Sequence, residues 1–166
     1  MLQTRQVCII ILIDMIEIKG CKLIGLSLGT KTINRNGQSA IDCGKLWQKF
    51  ETGRYAEKIP GKLSSEILAV YYNYEGDYSK PYSYFIGCKT NPDTKVPDGM
   101  DSLVIPTGNY RVIKAKGKLP DCVSMAWGVI WSVIIPRSYQ ADFEVYGEKS
   151  KDPNNAEIEI FLSVKY

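Results

Sequence analysis

The chain of 166 residues contains no histidine. That removes the side chain most often used as a general base near neutral pH, and the commonest metal ligand. Asp, Glu, Lys, Cys and Tyr are left as groups that could carry chemistry. Cysteine is sparse: Cys8, Cys21, Cys43, Cys88 and Cys122 are odd in number, scattered and without C-x-x-C spacing. They read as reduced core thiols of a cytoplasmic protein, not as a disulfide framework or a metal site. Neither sign of charge dominates, since 21 basic and 18 acidic residues leave a net charge of +3. Lys114, Lys116 and Lys118 alternate along KAKGK, which reads as a solvated strand edge guarding against edge-to-edge pairing. Nucleic-acid binding wants a broader basic stripe with interleaved aromatics, so none is expected. Long apolar runs are missing too. VCIIILI, residues 7–13, is cut off by Asp14 and is too short to span a bilayer. As a signal peptide it has no small-residue cleavage site after it. It reads as an added strand or a loosely attached extension, which sets residues 1–14 apart from a domain over 15–166, and no membrane association is expected. No Walker loop, dinucleotide fingerprint or metal-ligand cluster occurs, so no cofactor is expected.

What is present is an ordinary globular composition, 45% hydrophobic and 23% charged. Strand-like alternation begins at Met15, where IEIKGCKLIGLSLGTKT predicts a long strand kinked or bulged near Gly20. After the loop NRNGQ, the residues Ile41, Leu46, Trp47 and Phe50 fall at roughly helical intervals, and Gly53 ends that helix. EILAVYYNYEGD and PYSYFIGCKT follow as a strand and its return. Then the order repeats. SLVIPTGNYRVIKAKG is extended, with Pro106 and Gly108 marking a bend or an edge. Val123, Trp127, Ile130 and Ile134 share a helical face between Pro120, suited to a first turn, and Pro136, a stop. ADFEVYGE and AEIEIFLSVKY are the last two strands. Strand–helix–strand–strand thus occurs twice, about eighty residues apart. Two such units predict an α+β domain with one antiparallel sheet, two helices on one face, and a ligand cleft between the halves.

GLSLG satisfies the G-x-S-x-G spacing of a nucleophile elbow, but Ser27 lies inside an alternating strand and no histidine exists to take its proton. The pairs Asp142/Glu144 and Glu157/Glu159 resemble the two acids of a glycosidase, yet spacing by two on a strand is commonplace on solvent faces. More distinctive is the stock of large rings: Trp47, Trp127, Trp131, Tyr71, Tyr72, Tyr74, Tyr84, Phe85 and Tyr146. In ADFEVYGE, Glu144 stands between Phe143 and Val145 with Tyr146 just beyond. Alternation alone leaves open which side of the strand that acid faces.

The motifs LWQKF, YFIG, IPTGNY, AWGVIW, FEVY and IEIFLSV occur in an order and spacing that resemble the GyrI-like, or AraC/Rob-type, effector-binding domains. The similarity covers residues 15–166 and is strongest to the integron-cassette subgroup, which stands alone without a DNA-binding head. The resemblance implies the duplicated fold already read from the pattern. It also implies a pocket between the halves, where aromatics surround an acid that receives cationic, lipophilic compounds. Carried over, the acid is Glu144, with Tyr146 on the same strand face. Trp47 and Phe50 come from the first helix, Trp127 and Trp131 from the second, and Tyr72 and Tyr84 from strands. Family members that regulate transcription carry a helix-turn-helix domain in addition, for which this chain has no room.

The expected function is therefore a stand-alone binding protein for cationic amphiphiles, sensing or sequestering them. Two alternatives stand beside it. One is a hydrolase of reactive electrophiles with Glu144 as general acid or base. The other is a gyrase-inhibitor-like module whose partner is gyrase or the transcription machinery.

Overall fold

The computed structural model describes residues 8–165. Eight strands, β1 (Ile9–Ile18), β2 (Cys21–Ser27), β3 (Ile67–Tyr72), β4 (Ser83–Thr90), β5 (Asp101–Ile105), β6 (Gly108–Gly117), β7 (Ala141–Tyr146) and β8 (Ala156–Ser163), form one sheet. Its helices are α1 (Gln38–Thr52), the single turn α2 (Tyr55–Lys58) and α3 (Asp121–Ser132). The strand order is β1-β6-β8-β7-β3-β4-β2-β5, and every pairing is antiparallel. Two units, β2-α1-β3-β4 and β6-α3-β7-β8, meet at the central β3·β7 pair, where Ala69 lies opposite Glu144.

The kink near Gly20 has a larger consequence than a bulge. Lys19 and Gly20 alone separate β1 at one end of the sheet from β2 near the other, and Pro106 and Thr107 alone separate β5 from β6. Such short links can join strands at opposite ends only if the sheet curls until its ends approach. The two bends meet where the Gly20 N–H donates to the Thr107 hydroxyl at 2.8 Å. Curling buries the sheet face away from the helices against itself: Leu23, Leu68, Val70, Phe85, Val112, Phe143 and Phe161 form one core, with Phe143 stacked on Phe161 at 4.7 Å. On the other face α1 packs Leu46 and Phe50 against Ile24, Ala69 and Ile86, while α3 packs Val123, Ala126 and Ile130 among Ile113, Ile158 and Leu162. Gly25 and Gly87 are opposed across β2·β4, and a Cβ on Gly25 would overlap the Ile86 backbone.

Residues 9–14, read as an added strand or a loosely attached extension, are the first part of β1; residues 1–7 lie outside the described residues. Two local expectations are corrected. Strand β6 is interior, paired with β1 and β8, so Lys114 and Lys116 guard no edge and lie 3.4 and 3.7 Å from Glu157. Finally, Ile134 is fully exposed because α3 ends at Ser132 and Val133 is extended. The Ser132 hydroxyl donates to the Val129 carbonyl at 2.8 Å and satisfies the last turn, while Pro136 biases Ile135 away from helical dihedrals.

Candidate functional site

A cavity of about 800 Å³ lies on the helix-bearing face, between α1 and α3 and above the central strand pair. Its floor follows from strand alternation. With Ala69 opposite Glu144 and Tyr71 opposite Asp142, the side chains of Tyr71, Asp142, Glu144 and Tyr146 all point toward the helices. Glu144 is 2% exposed and accepts three hydrogen bonds at 2.7 Å, from the Tyr71 and Tyr146 hydroxyls and the Trp127 indole N–H. The donors are held in turn by ring contacts. Trp47 meets Tyr146 edge-on at 4.9 Å and donates its indole N–H to the Tyr84 hydroxyl at 2.8 Å, while Tyr71 contacts Trp127 at 5.0 Å and Tyr84 at 5.1 Å.

The two buried acids of β7 are treated differently. Asp142, fully buried, receives Arg137, the Tyr74 hydroxyl at 2.6 Å and the Ser163 backbone N–H at 2.8 Å. Its charge is therefore matched by a guanidinium. Glu144, two residues on, has neutral donors only, and no salt bridge among the described residues includes it. Burial pushes the Glu144 carboxyl above its ordinary value, and the bonds from Trp127, Tyr146 and Tyr71 offset part of that rise. Burial first, and the Glu144 charge second, holds Tyr71, Tyr84 and Tyr146 well above the ordinary phenol range, so they remain donors. Cys43 also lines the cavity, its thiol pushed up to about 12 by burial and by Glu144, which leaves it a poor nucleophile at neutral pH.

Of the residues expected at the site, the structure brings Glu144, Tyr146, Trp47, Tyr84, Trp127 and Trp131 to this cavity. It does not bring Phe50 or Tyr72. Phe50, 1% exposed, points into the α1 core against Tyr55, because the inward face of α1 turns past the cavity wall three residues after Trp47. Tyr72 lies opposite Ala141 and so faces the other side of the sheet; its neighbour Tyr71 is the ring that reaches Glu144. Tyr71, Tyr74, Tyr78, Tyr82, Cys43 and Arg137 also line the cavity, and none of them is expected there from the sequence. Tyr71 needed the β3·β7 register. Arg137 lies in the segment between α3 and β7, without periodicity, and its only sequence signal is Asp142 five residues on.

A duplicated α+β fold with a ring-lined cavity between its halves defines an effector-binding type of domain. Residues 15–164 match the Cass2 family, integron-associated effector binding proteins, and the chain belongs to that family. Binding of a small molecule is the function of the class. YobU of Bacillus subtilis (strain 168), whose name is that of a transcriptional regulator, is 26% identical over 124 residues, 73% of this chain and 76% of its own. An integron cassette protein from the mobile metagenome of Vibrio cholerae has the same fold, with a TM-score of 0.73 and 24% identity over 95% of this chain and 99% of its own. A protein solved bound to tetraphenylphosphonium is similar at a TM-score of 0.75 and 18% identity, covering 92% of this chain and 93% of its own. No helix among the described residues is long and apolar enough to cross a membrane.

Proposed function

We propose that the chain binds lipophilic cations in the cavity between its halves, with Glu144 as the counter-charge, and so senses or sequesters them in the cytoplasm. The observation that carries this reading is the buried Glu144 carboxylate, supplied with three neutral donors and with no cation partner among the described residues. Water is a poor substitute there, and a ligand that brings a positive charge restores the ionised acid. At about 4 Å and an effective dielectric near 20 the attraction is on the order of 4 kcal/mol before desolvation. Each ring facing the cation adds roughly 0.5–2 kcal/mol. Desolvation and ligand ordering offset much of this, so affinity is expected near micromolar, about −8 kcal/mol. Rings supply area rather than directional bonds, so selectivity is broad, and flat or greasy cations are favoured over small hydrated ones. A structural relative bound to tetraphenylphosphonium, a member of that ligand class, supports the same reading. Free thiols at all five cysteines fit a reducing compartment.

The test is a tryptophan-fluorescence titration with a lipophilic cation and a neutral isostere. Trp47, Trp127 and Trp131 all line the cavity and report occupancy. Glu144→Gln is expected to weaken the cation by about tenfold or more, roughly 1.4 kcal/mol, while leaving the isostere within about twofold. Equal losses for both ligands would overturn the assignment of Glu144.

A further inference from the structure

Outside the ring-lined cavity, a smaller groove of about 230 Å³ lies beside the C-terminal half of α3. Ile10 and Leu12 of β1, Ile113 of β6, Val129 and Ile130 of α3, and Ile134 beyond it form its walls. Leu12, Val129 and Ile134 are exposed, so apolar surface that folding normally removes from water stays in contact with it here. Among the described residues no ring lines this groove, and the one charged residue that does is Arg111. Alternation puts it there. Arg111 stands two residues before Ile113 on β6 and so shares its face, with Met15 and Leu162 as its strand partners. Arg111 takes part in no salt bridge among the described residues, and none of its nitrogens is a buried atom lacking a partner. Its charge is therefore open to solvent and unmatched among those residues, unlike that of Arg137, which Asp142 balances.

The two cavities are opposite in character. One surrounds a buried acid with rings, and the other sets a guanidinium against aliphatic side chains. A guanidinium favours a carboxylate, which it can meet with two parallel N–H bonds. The end of α3 beside the groove carries at most about half a negative charge, too little to cancel a full positive one. Aliphatic walls without a ring to stack on suit a flexible alkyl tail better than a planar one. At about 30 Å³ for a methylene-sized group, the groove holds roughly seven or eight carbons. We propose that this groove binds a free medium-chain alkyl carboxylate, with its tail between β1 and α3 and its head on Arg111. The cation reading above is not needed for it, and the two sites stand or fail separately.

Isothermal titration calorimetry of the full chain with octanoate, butanoate and octan-1-ol tests this. Octanoate is expected to bind about five- to tenfold more tightly than octan-1-ol, the gain of an ion pair partly screened by solvent. It is also expected to bind at least about tenfold more tightly than butanoate, which fills half the groove. Arg111→Gln is expected to bring octanoate down to the octan-1-ol level, while Glu144→Gln leaves it within about twofold. Should Arg111→Gln fail to fold, Val133→Glu, at an exposed groove position just after α3, puts a carboxylate into the groove. That variant is expected to weaken octanoate by about tenfold or more through like-charge repulsion. Equal affinity for octanoate and octan-1-ol, or octanoate binding that survives Arg111→Gln or Val133→Glu, overturns the assignment. So does octanoate binding lost in Glu144→Gln, which places the ligand in the larger cavity. Absence of octanoate binding overturns it too, and sedimentation velocity then shows whether a second copy of the chain covers the groove.

Discussion

Two acids on one strand illustrate how residue-scale environment sets chemistry. Asp142 and Glu144 share a face of β7 and both are buried, yet among the described residues only Asp142 has a cation partner. For Glu144, burial raises the folded-state pKa above the value near 4.3 of an unfolded glutamate. The folded state then binds the proton more tightly than the unfolded one, so its share of stability is fully present below the unfolded value. That share is lost as pH rises through the folded value, and the curve is level above it. Urea denaturation as a function of pH is therefore expected to show a decline through that window in the wild type and a flatter profile in Glu144→Gln. Under the proposed function cation affinity runs the other way, because only the ionised acid would attract the ligand: it is expected to rise with pH across the same window.

At the scale of elements, strand alternation and close backbone contact decide which substitutions matter. Tyr71→Phe removes a donor to the ionised Glu144, so the pH midpoint of cation binding is expected to move upward. Tyr72→Phe acts on the opposite face of β3 and is expected to leave that midpoint in place. The same titration run at several pH values checks both. Gly87 faces Gly25 across β2·β4, and a Cβ there would run into the backbone of Ile24. Backbone on a paired strand cannot move aside as a side chain can, so Gly87→Ala is expected to destabilise the fold by about 3 kcal/mol in urea titration. It is expected to do so without changing the preference for a cation over its neutral isostere.

For the whole molecule, the cavity lies where two halves meet, so a bound ligand fastens α1, α3 and the central strand pair to one another. A ligand held only by the folded chain stabilises it by roughly 2.7 kcal/mol at a concentration one hundred times its Kd. For a domain of this length that corresponds to a rise in Tm of about 5–10 °C. A thermal-shift series with tetraphenylphosphonium is expected to show such a rise in the wild type and a much smaller one in Glu144→Gln. The curl of the sheet matters at this scale as well. Because β1 runs into β2 and β5 into β6 through two-residue links that join the ends of the sheet, the two halves cannot separate without breaking the β1·β6 and β2·β5 pairings.

The α+β class, the repeated strand–helix–strand–strand order, the bends near Gly20 and Pro106, and the gathering of an acid with large rings in ADFEVYGE are all legible along the chain. These follow from periodicity and turn chemistry, which are local and can be read along the chain. That Tyr71 rather than Tyr72 meets Glu144 depends on how β3 pairs with β7, since one residue of register reverses every side chain of a strand. Tertiary structure likewise turned Phe50 into core and Ile134 into surface, and brought Arg137 to Asp142, because burial and pairing belong to contacts between segments distant along the chain. The difference between the two acids of β7 was beyond the sequence for the same reason. A carboxylate's charge state is set by what surrounds it in space, and for Glu144 those surroundings come from β3, α3 and β7 together.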